Sequence, residues 1–289
     1  MFSFFSVKFN RVFKNASWII VCRLVQAVFA LIINGLTARY FGPSNYGIIN
    51  YAASLVAFVT PLMKLGTSYV LVNEIIKSPQ KEGEILGTSM VMTTVSSLFC
   101  IVGLFAFVTL ADHADPTAAT VVILYSLILI AQSLEQMQYW FQAKLLSKIV
   151  SLTSLSVYLL ISAYKIFLLI NKKSIYWFAV SNALDHSIIG IVLIIVYYHI
   201  SDKRLRFSWF WLKELWKKGH PYIIPELMGL VLQQSDRIML RFMCSNSEVG
   251  IYASALYIAG LSSFVFNAII QSFQPQILEE KIKDQKKYE

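Results

Sequence analysis

Ala38-Arg39-Tyr40-Phe41-Gly42-Pro43-Ser44-Asn45-Tyr46-Gly47-Ile48-Ile49-Asn50-Tyr51-Ala52-Ala53-Ser54 is the stretch on which the fold turns. An apolar helix ends at an arginine, a short polar turn closes on glycine, and a helix rich in tyrosine, alanine and serine begins. The pattern returns late in the chain. Leu240-Arg241-Phe242 ends an apolar run, Ser245-Asn246-Ser247-Glu248-Val249-Gly250 makes the turn, and Ile251-Tyr252-Ala253-Ser254-Ala255 opens the next helix. The two copies align with gaps of one or two residues.

Working outward, the 289 residues are 57% hydrophobic and only 14% charged, where soluble chains are about 45–50% apolar and about 25% charged. A membrane helix takes about 20 apolar residues, so the composition furnishes about eight spans. We place them at Trp18–Ala38, Ile48–Val72, Glu84–Leu110, Thr117–Leu134, Ile149–Ile170, Ile175–His199, Pro221–Cys244 and Val249–Phe273. Helices are the natural choice because they satisfy their backbone groups within the segment, and the period-2 alternation of a membrane barrel is absent. Pro61, Gly66 and Pro225 are expected to kink their spans. The first segment carries Arg23 and Gln26 and lacks a small-residue cleavage site, so it is a span and not a cleaved signal. Three cysteines, two of them in apolar runs, do not make a disulfide framework.

The net charge of +9 is a topology signal and not a nucleic-acid footprint. On one side of the spans fall Lys8 to Lys14, Lys77 and Lys81, Lys144 and Lys148, the run Lys203 to Lys218, and Lys281 to Lys287. The other side receives only Arg39, Lys172, Lys173 and Arg241. Both termini of this multi-pass chain are therefore expected in the cytoplasm. Between Asp202 and Lys218, basic residues alternate with Phe207, Trp209, Trp211, Leu215 and Trp216, the pattern of a helix lying at the headgroups.

The two repeats lie about six spans apart and face the same side, which describes two parallel lobes. The expected fold is thus all-α integral membrane, with one six-helix lobe and the first two helices of a second. Residues 1–200 form the first lobe, 201–220 a cytoplasmic amphipathic linker helix, and 221–289 an incomplete second lobe with a charged tail. A complete second lobe would need about four more spans, so the chain reads as C-terminally truncated relative to its own symmetry.

Charge inside a membrane costs about 2.5–3.5 kcal/mol per residue on insertion scales, so each instance asks for a reason. Span one carries Arg23, Gln26, Ala30, Asn34 and Thr37 on one helix face, and span two carries Ser54, Pro61, Lys64 and Ser68. Span seven aligns Glu226, Gly229, Gln233, Asp236 and Arg237, and span eight Tyr257, Asn267 and Gln271. Two readings stand. The stripes face a shared water-filled cavity, or they pair internally, with Arg23 or Arg237 neutralised by Glu226 or Asp236. Arg23 and Lys64 are also near enough to a membrane face to snorkel. Guanidinium and ammonium groups in a cavity suit a phosphate-bearing ligand, and a carboxylate there suits a coupling proton or sodium ion. Lys165 and Asp185 on spans five and six leave two readings equally open, pairing with each other or a functional role, and His186 is read as packing beside Asp185. No metal-ligand cluster, Gly-rich phosphate loop or Ser/His/Asp set is present in the sequence, so no cofactor, metal or enzyme activity is expected.

These residues resemble the polysaccharide (O-antigen or capsule) flippase family of the multidrug/oligosaccharidyl-lipid/polysaccharide exporter superfamily. The likeness is carried by residues 38–52, by Leu65-Gly66-Thr67 leading to Val72-Asn73-Glu74-Ile75, by Tyr139-Trp140-Phe141-Gln142, and by Gln234 to Leu240 with Val249 to Ala253. The resemblance implies two pseudo-symmetric bundles around a cavity lined by the first two helices of each. It implies alternating-access translocation of undecaprenyl-pyrophosphate-linked oligosaccharide repeat units across the cytoplasmic (inner) membrane, driven by H+ or Na+, in concert with the polysaccharide-assembly machinery. Carried onto this chain, Arg23, Lys64 and Arg237 are the anion contacts, and Glu226 and Asp236 the coupling or pairing carboxylates. Gln26, Asn34, Gln233, Asn267 and Gln271 complete the polar lumen. Three alternatives are kept: a non-transporting remnant, a drug or cation exporter with a more acidic lumen, and a membrane glycosyltransferase or polymerase. The last predicts a large external loop or an Asp-rich sugar-nucleotide motif, and the sequence has neither.

Overall fold

The computed structural model describes residues 2–111 and 115–260, with side chains from residue 21 onward. Every regular element among the described residues is helical. The first is α1 (Phe2–Lys64), a single helical run broken at Gly42, whose φ of 69° and ψ of 173° no other position in the helix shares. A 63-residue straight helix would exceed any bilayer, at about 1.5 Å per residue. The break folds it into two antiparallel arms instead. The first arm runs from Arg23, beside Gln138 and Ser147, to Tyr40, whose hydroxyl donates to the Lys173 carbonyl at 3.4 Å. Phe41 meets the Phe178 ring edge-on, with centroids 4.8 Å apart. The second arm returns past Val59 and Leu62, whose carbonyls accept from Cys100 and Ser96, to Gly66 against Gly219. Glycine is needed at the break because a side chain resists positive φ.

The expected second span is shorter than its apolar run. Leu65 and Gly66 both take positive φ, 54° and 68°, and stop the arm; α2 (Thr67–Lys77) then follows as a separate helix. Pro61 sits inside the arm without a break, and Pro225 falls in the first turn of its helix, where its missing N–H has no partner to lose. Then come α3 (Glu82–Ala111), α4 (Pro116–Leu134), a 3-10 turn (Glu135–Met137), α5 (Gln138–Ala143), α6 (Ser147–Ile170) and α7 (Ile175–Ile200). Asp115 caps α4, its carboxylate accepting from the amides of Thr117 and Ala118 at 3.1 Å each. Last come α8 (Trp209–Gly219), α9 (Ile223–Met243) and a helix, α10, over residues 246–260.

Five helices among the described residues are long and apolar enough to cross a membrane: Val21–Lys77 across the Gly42 break, Pro79–Leu110, Pro116–Ala143, Ser147–Ile170 and Ile175–Ile200. Their outer faces are apolar and bare, with Phe99 73% and Leu110 75% exposed, as side chains facing lipid must be. α9, read from the sequence as span seven, lacks that apolarity because Glu226, Asp236, Arg237 and Arg241 punctuate it. It rests on α1.

Two apolar cores lie one above the other. One holds Tyr51, Val108, Ala118, Val122, Ala179 and Val249. The other holds Leu71, Ile85, Phe141, Leu193, Tyr197 and Leu215. The helix ends sort accordingly. Gly42, Asp115, Lys173, Arg241 and Asn246 gather at the first end. Gly66, Glu82, Lys144, Ser201 and α8 gather at the second. Arg39, Lys172, Lys173 and Arg241 thus stand at one end of the bundle, while the Lys77–Lys81, Lys144–Lys148 and Lys203–Lys218 segments share the other.

The two copies of the repeated turn meet each other. A side chain at Gly47 would collide with the Asn246 carbonyl and lie 3.0 Å from the Gly250 nitrogen. One at Gly250 would collide with the Pro43 carbonyl and lie 3.0 Å from the Gly47 nitrogen. The contact is reciprocal, residue 43 to 250 and residue 47 to 246. It places the start of the second α1 arm against the start of α10 at backbone distance.

Candidate functional site

α6 supplies what the span-one stripe faces. Ser147, Ser151 and Ser154 recur every three or four residues on one helix face, and Tyr158, Ser162 and Lys165 extend it toward the opposite end. The first α1 arm packs along this helix. Between them, at the end that also holds α8, opens a cleft of about 360 Å³. Arg23, Gln26, Gln138, Gln142, Ser147, Ser151 and Ser154 supply its polar wall, with Cys22 and Val150 beside them. One guanidinium, three amides and three hydroxyls line it, and among the described residues no carboxylate does. A guanidinium binds phosphate through two parallel N–H donors, and amides and hydroxyls match sugar hydroxyls. Gln142 belongs to the Tyr139–Gln142 passage singled out in the sequence; Gln138 and the α6 serines were not. Their signal was legible as a period of 3.6 in serine, masked because single hydroxyls are common in membrane helices.

The other candidate residues go elsewhere. Asn34 bonds the Ala30 carbonyl at 2.9 Å and faces Tyr257 of α10, so the stripes of spans one and eight do meet. Arg237 donates from Nη1 to Gln234 Oε1 at 3.1 Å, and the same oxygen accepts from Ser54 Oγ at 3.0 Å. Asp236 accepts from the Tyr252 hydroxyl at 2.5 Å and from the Arg237 amide at 2.8 Å. This seam binds α9 to the second α1 arm and to α10. Gln233 is exposed, and its neighbour Gln234 is the amide that joins the seam. Glu226 lies in the first turn of α9, one carboxylate oxygen buried without a partner among the described residues, and its charge reaches Tyr139. Lys64 stands half-buried at the end of its arm, where its charge reaches His186. Arg23, Lys64 and Arg237 therefore occupy three separate places. Asn267 and Gln271 lie outside the described residues.

The expected pairings also change. Lys165 donates to Asn182 Oδ1 at 2.9 Å, and His186 Nδ1 lies 2.8 Å from Glu135 Oε1, a residue the sequence reading passed over. At the end that holds Gly42, Asp115 accepts from Asn246 at 3.0 Å and meets Arg241 at 3.5 Å, tying the α4 cap to the second repeat.

α8 is pinned across the second end. Trp211 and Leu215 are buried, while Trp209 and Phe210 stand outward. Lys218 Nζ reaches Glu74 and Glu214 at 2.9 Å each. Those hydrogen bonds, Glu214 first, hold the Lys218 ammonium above its ordinary pKa, and Lys218 holds the Glu214 carboxyl below its own. Among the described residues no group of three or more His, Cys, Asp or Glu side chains converges as a metal site.

No curated protein and no solved structure matches the chain. The sequence model of the family described as "Polysaccharide biosynthesis protein" does match, over residues 12–279. That span takes in both repeats, the Arg23 cleft and the Arg237 seam, and this multi-pass membrane chain belongs to the polysaccharide biosynthesis protein family.

Proposed function

We propose that the protein is a flippase that moves undecaprenyl-pyrophosphate-linked oligosaccharide repeat units across the cytoplasmic membrane for surface-polysaccharide assembly. The observation that carries this reading is the Arg23 cleft, cationic and hydroxyl-rich, and free of lining carboxylates among the described residues. Arg23 takes the pyrophosphate, Gln26, Gln138, Gln142 and the α6 serines take the first sugars, and the prenyl chain stays in lipid. A lining of described residues that holds a guanidinium and no carboxylate favours an anionic cargo over a cationic drug. The basic end of the bundle faces the cytoplasm, following the bias of lysine and arginine toward that side. Substrate is then loaded from the side on which it is made.

Residues 1–200 act as one lobe and 221 onward as part of a second, with 201–220 at the headgroups. Alternating access opens the Gly47–Gly250 contact, and the Arg237–Gln234–Ser54 seam, with Asp236 held on Tyr252, carries the motion between lobes. Glu226 and Lys64 face the same end as the cleft and tune its charge. A proton or sodium gradient supplies the drive, and the assembly machinery receives the product.

The test is complementation of a bacterial strain lacking its own flippase, with the lipid-linked unit assayed on each face of the membrane. Arg23→Gln should leave membrane insertion intact and trap the unit on the cytoplasmic face. Export unchanged by Arg23→Gln would remove the cleft from the transport path.

A further inference from the structure

Glu135 and His186 meet inside the bundle, a pairing that the sequence pattern does not announce. Their 2.8 Å contact joins the 3-10 turn that ends α4 to the middle of α7. The side chains are only 15% and 28% exposed. The approach is fixed by backbone and not by reach. One turn beyond His186, a side chain at Gly190 would collide with Leu134 Cβ at 2.5 Å, and Leu134 is the residue before Glu135.

The surrounding charges balance. Asp185 stands beside His186 on α7, Lys64 reaches it from α1, and Lys165 of α6 acts on Asp185. Tyr139 of α5 faces Glu135, and Glu226 of α9 reaches that tyrosine. Leaving aside Glu226, which acts only through Tyr139, two carboxylates and two ammonium groups cancel. A neutral imidazole leaves this set uncharged; a protonated one gives it a single excess positive charge. Asp185 Oδ1 is buried with no hydrogen-bond partner among the described residues, so negative potential is left facing the ring. Buried, unpaired carboxylate oxygen is costly, and an added proton on His186 relieves it.

The same short segment builds the cleft. Glu135 begins the 3-10 turn, and Gln138, three residues on, starts α5 and lines the Arg23 cleft with Gln142. A change in how Glu135 is held is passed to Gln138 within one turn of chain.

We infer that Glu135 and His186 form a binding site for one exchangeable proton, and that the imidazolium form favours an anionic ligand in the Arg23 cleft. In the neutral state the Nδ1–H donates to Glu135 Oε1, and the free Nε2 lone pair accepts the proton from water. On release the proton returns from Nε2 to water, and no other bond changes. The coupling half of this inference rests on the cleft being the ligand site; the proton site does not.

The experiment is a 15N NMR titration of histidine-labelled protein in lipid nanodiscs, with the His186 signals identified by their loss in His186→Gln. In the full protein His186 should titrate in a single step between about pH 5 and pH 8. Glu135→Gln keeps a hydrogen-bond acceptor for Nδ1 while removing the charge, and should lower the midpoint by about one pH unit. A His186 that does not titrate in that range, or a midpoint indifferent to Glu135→Gln, overturns the proton site. Saturating undecaprenyl pyrophosphate, with its binding followed separately, should raise the midpoint. A bound probe that leaves the midpoint unmoved overturns the coupling. A probe that does not bind overturns the cleft reading and the coupling with it, and the proton site is then decided by the Glu135→Gln titration.

Discussion

Replacing Gly47 by alanine tests the central packing claim, because the same helix offers its own control. Gly35 and Gly47 both lie in α1, one in each arm. A side chain at Gly35 meets nothing within 4 Å. Gly35→Ala should therefore give only the helix-propensity gain, about 0.8–1.0 kcal/mol. Gly47→Ala receives the same gain but drives a methyl into the Asn246 carbonyl and against the Gly250 nitrogen, both backbone and unable to rotate away. The α10 start must back off, loosening Val249 and Ala253, which are 0% and 3% exposed. Overpacking of this kind costs about 1–3 kcal/mol, so Gly47→Ala should fall about 1–3 kcal/mol below Gly35→Ala. Gly250→Ala should behave like Gly47→Ala. The double variant should cost less than the sum, since one separation relieves both clashes. The assay is SDS-titrated unfolding in mixed micelles, scored against both single variants. Equal midpoints for Gly35→Ala and Gly47→Ala would refute the backbone contact between the repeats.

Three further outcomes follow from the same geometry. Gly66→Ala combines a φ of 68° with a collision against the Gly219 carbonyl, and should lose at least the roughly 1–2 kcal/mol of left-handed strain in the same unfolding assay. Asp115→Ala removes the α4 cap and the contacts to Arg241 and Asn246, and should cost about 0.5–2 kcal/mol for the cap alone; Asp115→Asn, which can still cap, should recover most of that. For α8 docking, Lys218 has a folded pKa above the ordinary 10.5, so its contribution is full below that value and is lost as pH rises through the higher folded one. Glu214 has a folded pKa below the ordinary 4.5, so its contribution is present above that value and lost as pH falls through the lower one. Tryptophan emission from α8 should thus stay constant between these limits and shift at both extremes, and Lys218→Met should abolish the alkaline shift.

Much of the fold was legible because lipid imposes so few solutions. An apolar run of about 20 residues bounded by charge has to be a helix, and the ends of α3, α4, α6 and α7 fall within about two residues of where composition puts them. What composition does not carry is backbone torsion inside an apolar run. Ile48–Val72 reads as one span kinked at Gly66, and the structure goes further, since Leu65 and Gly66 both take positive φ and end the arm, leaving α2 as a separate helix. What sequence does not show is the cause: Gly66 has a helix end, at Gly219, pressed against it, where a side chain at Gly35 meets nothing within 4 Å. α9 shows the converse case. Its length and its register were legible, but its charges leave it below the apolarity of a lipid-facing span and make it depend on the α1 arm beside it.

The site was half legible for a related reason. A helical stripe tells which residues share a face, and says nothing of what the face meets. Arg23, Gln26, Lys64, Glu226 and Arg237 were all visible as costly residues in apolar helices, and a single cavity was the simplest way to account for them together. The structure accounts for them separately, because each stripe is longer than any one neighbour. Span one meets α6 at Arg23 and α10 at Asn34; span two meets α9 at Ser54, with Lys64 reaching α7 at its far end. Distributed cations have a consequence that a single cationic cavity lacks. A pyrophosphate held at Arg23 meets neither Lys64 nor Arg237, so a change of charge at a neighbouring group bears on it more strongly. His186, which carries the proposed proton, contacts Glu135, the residue that opens the segment leading to Gln138 and Gln142. Separation of the fixed charges is therefore what gives a titratable one a role.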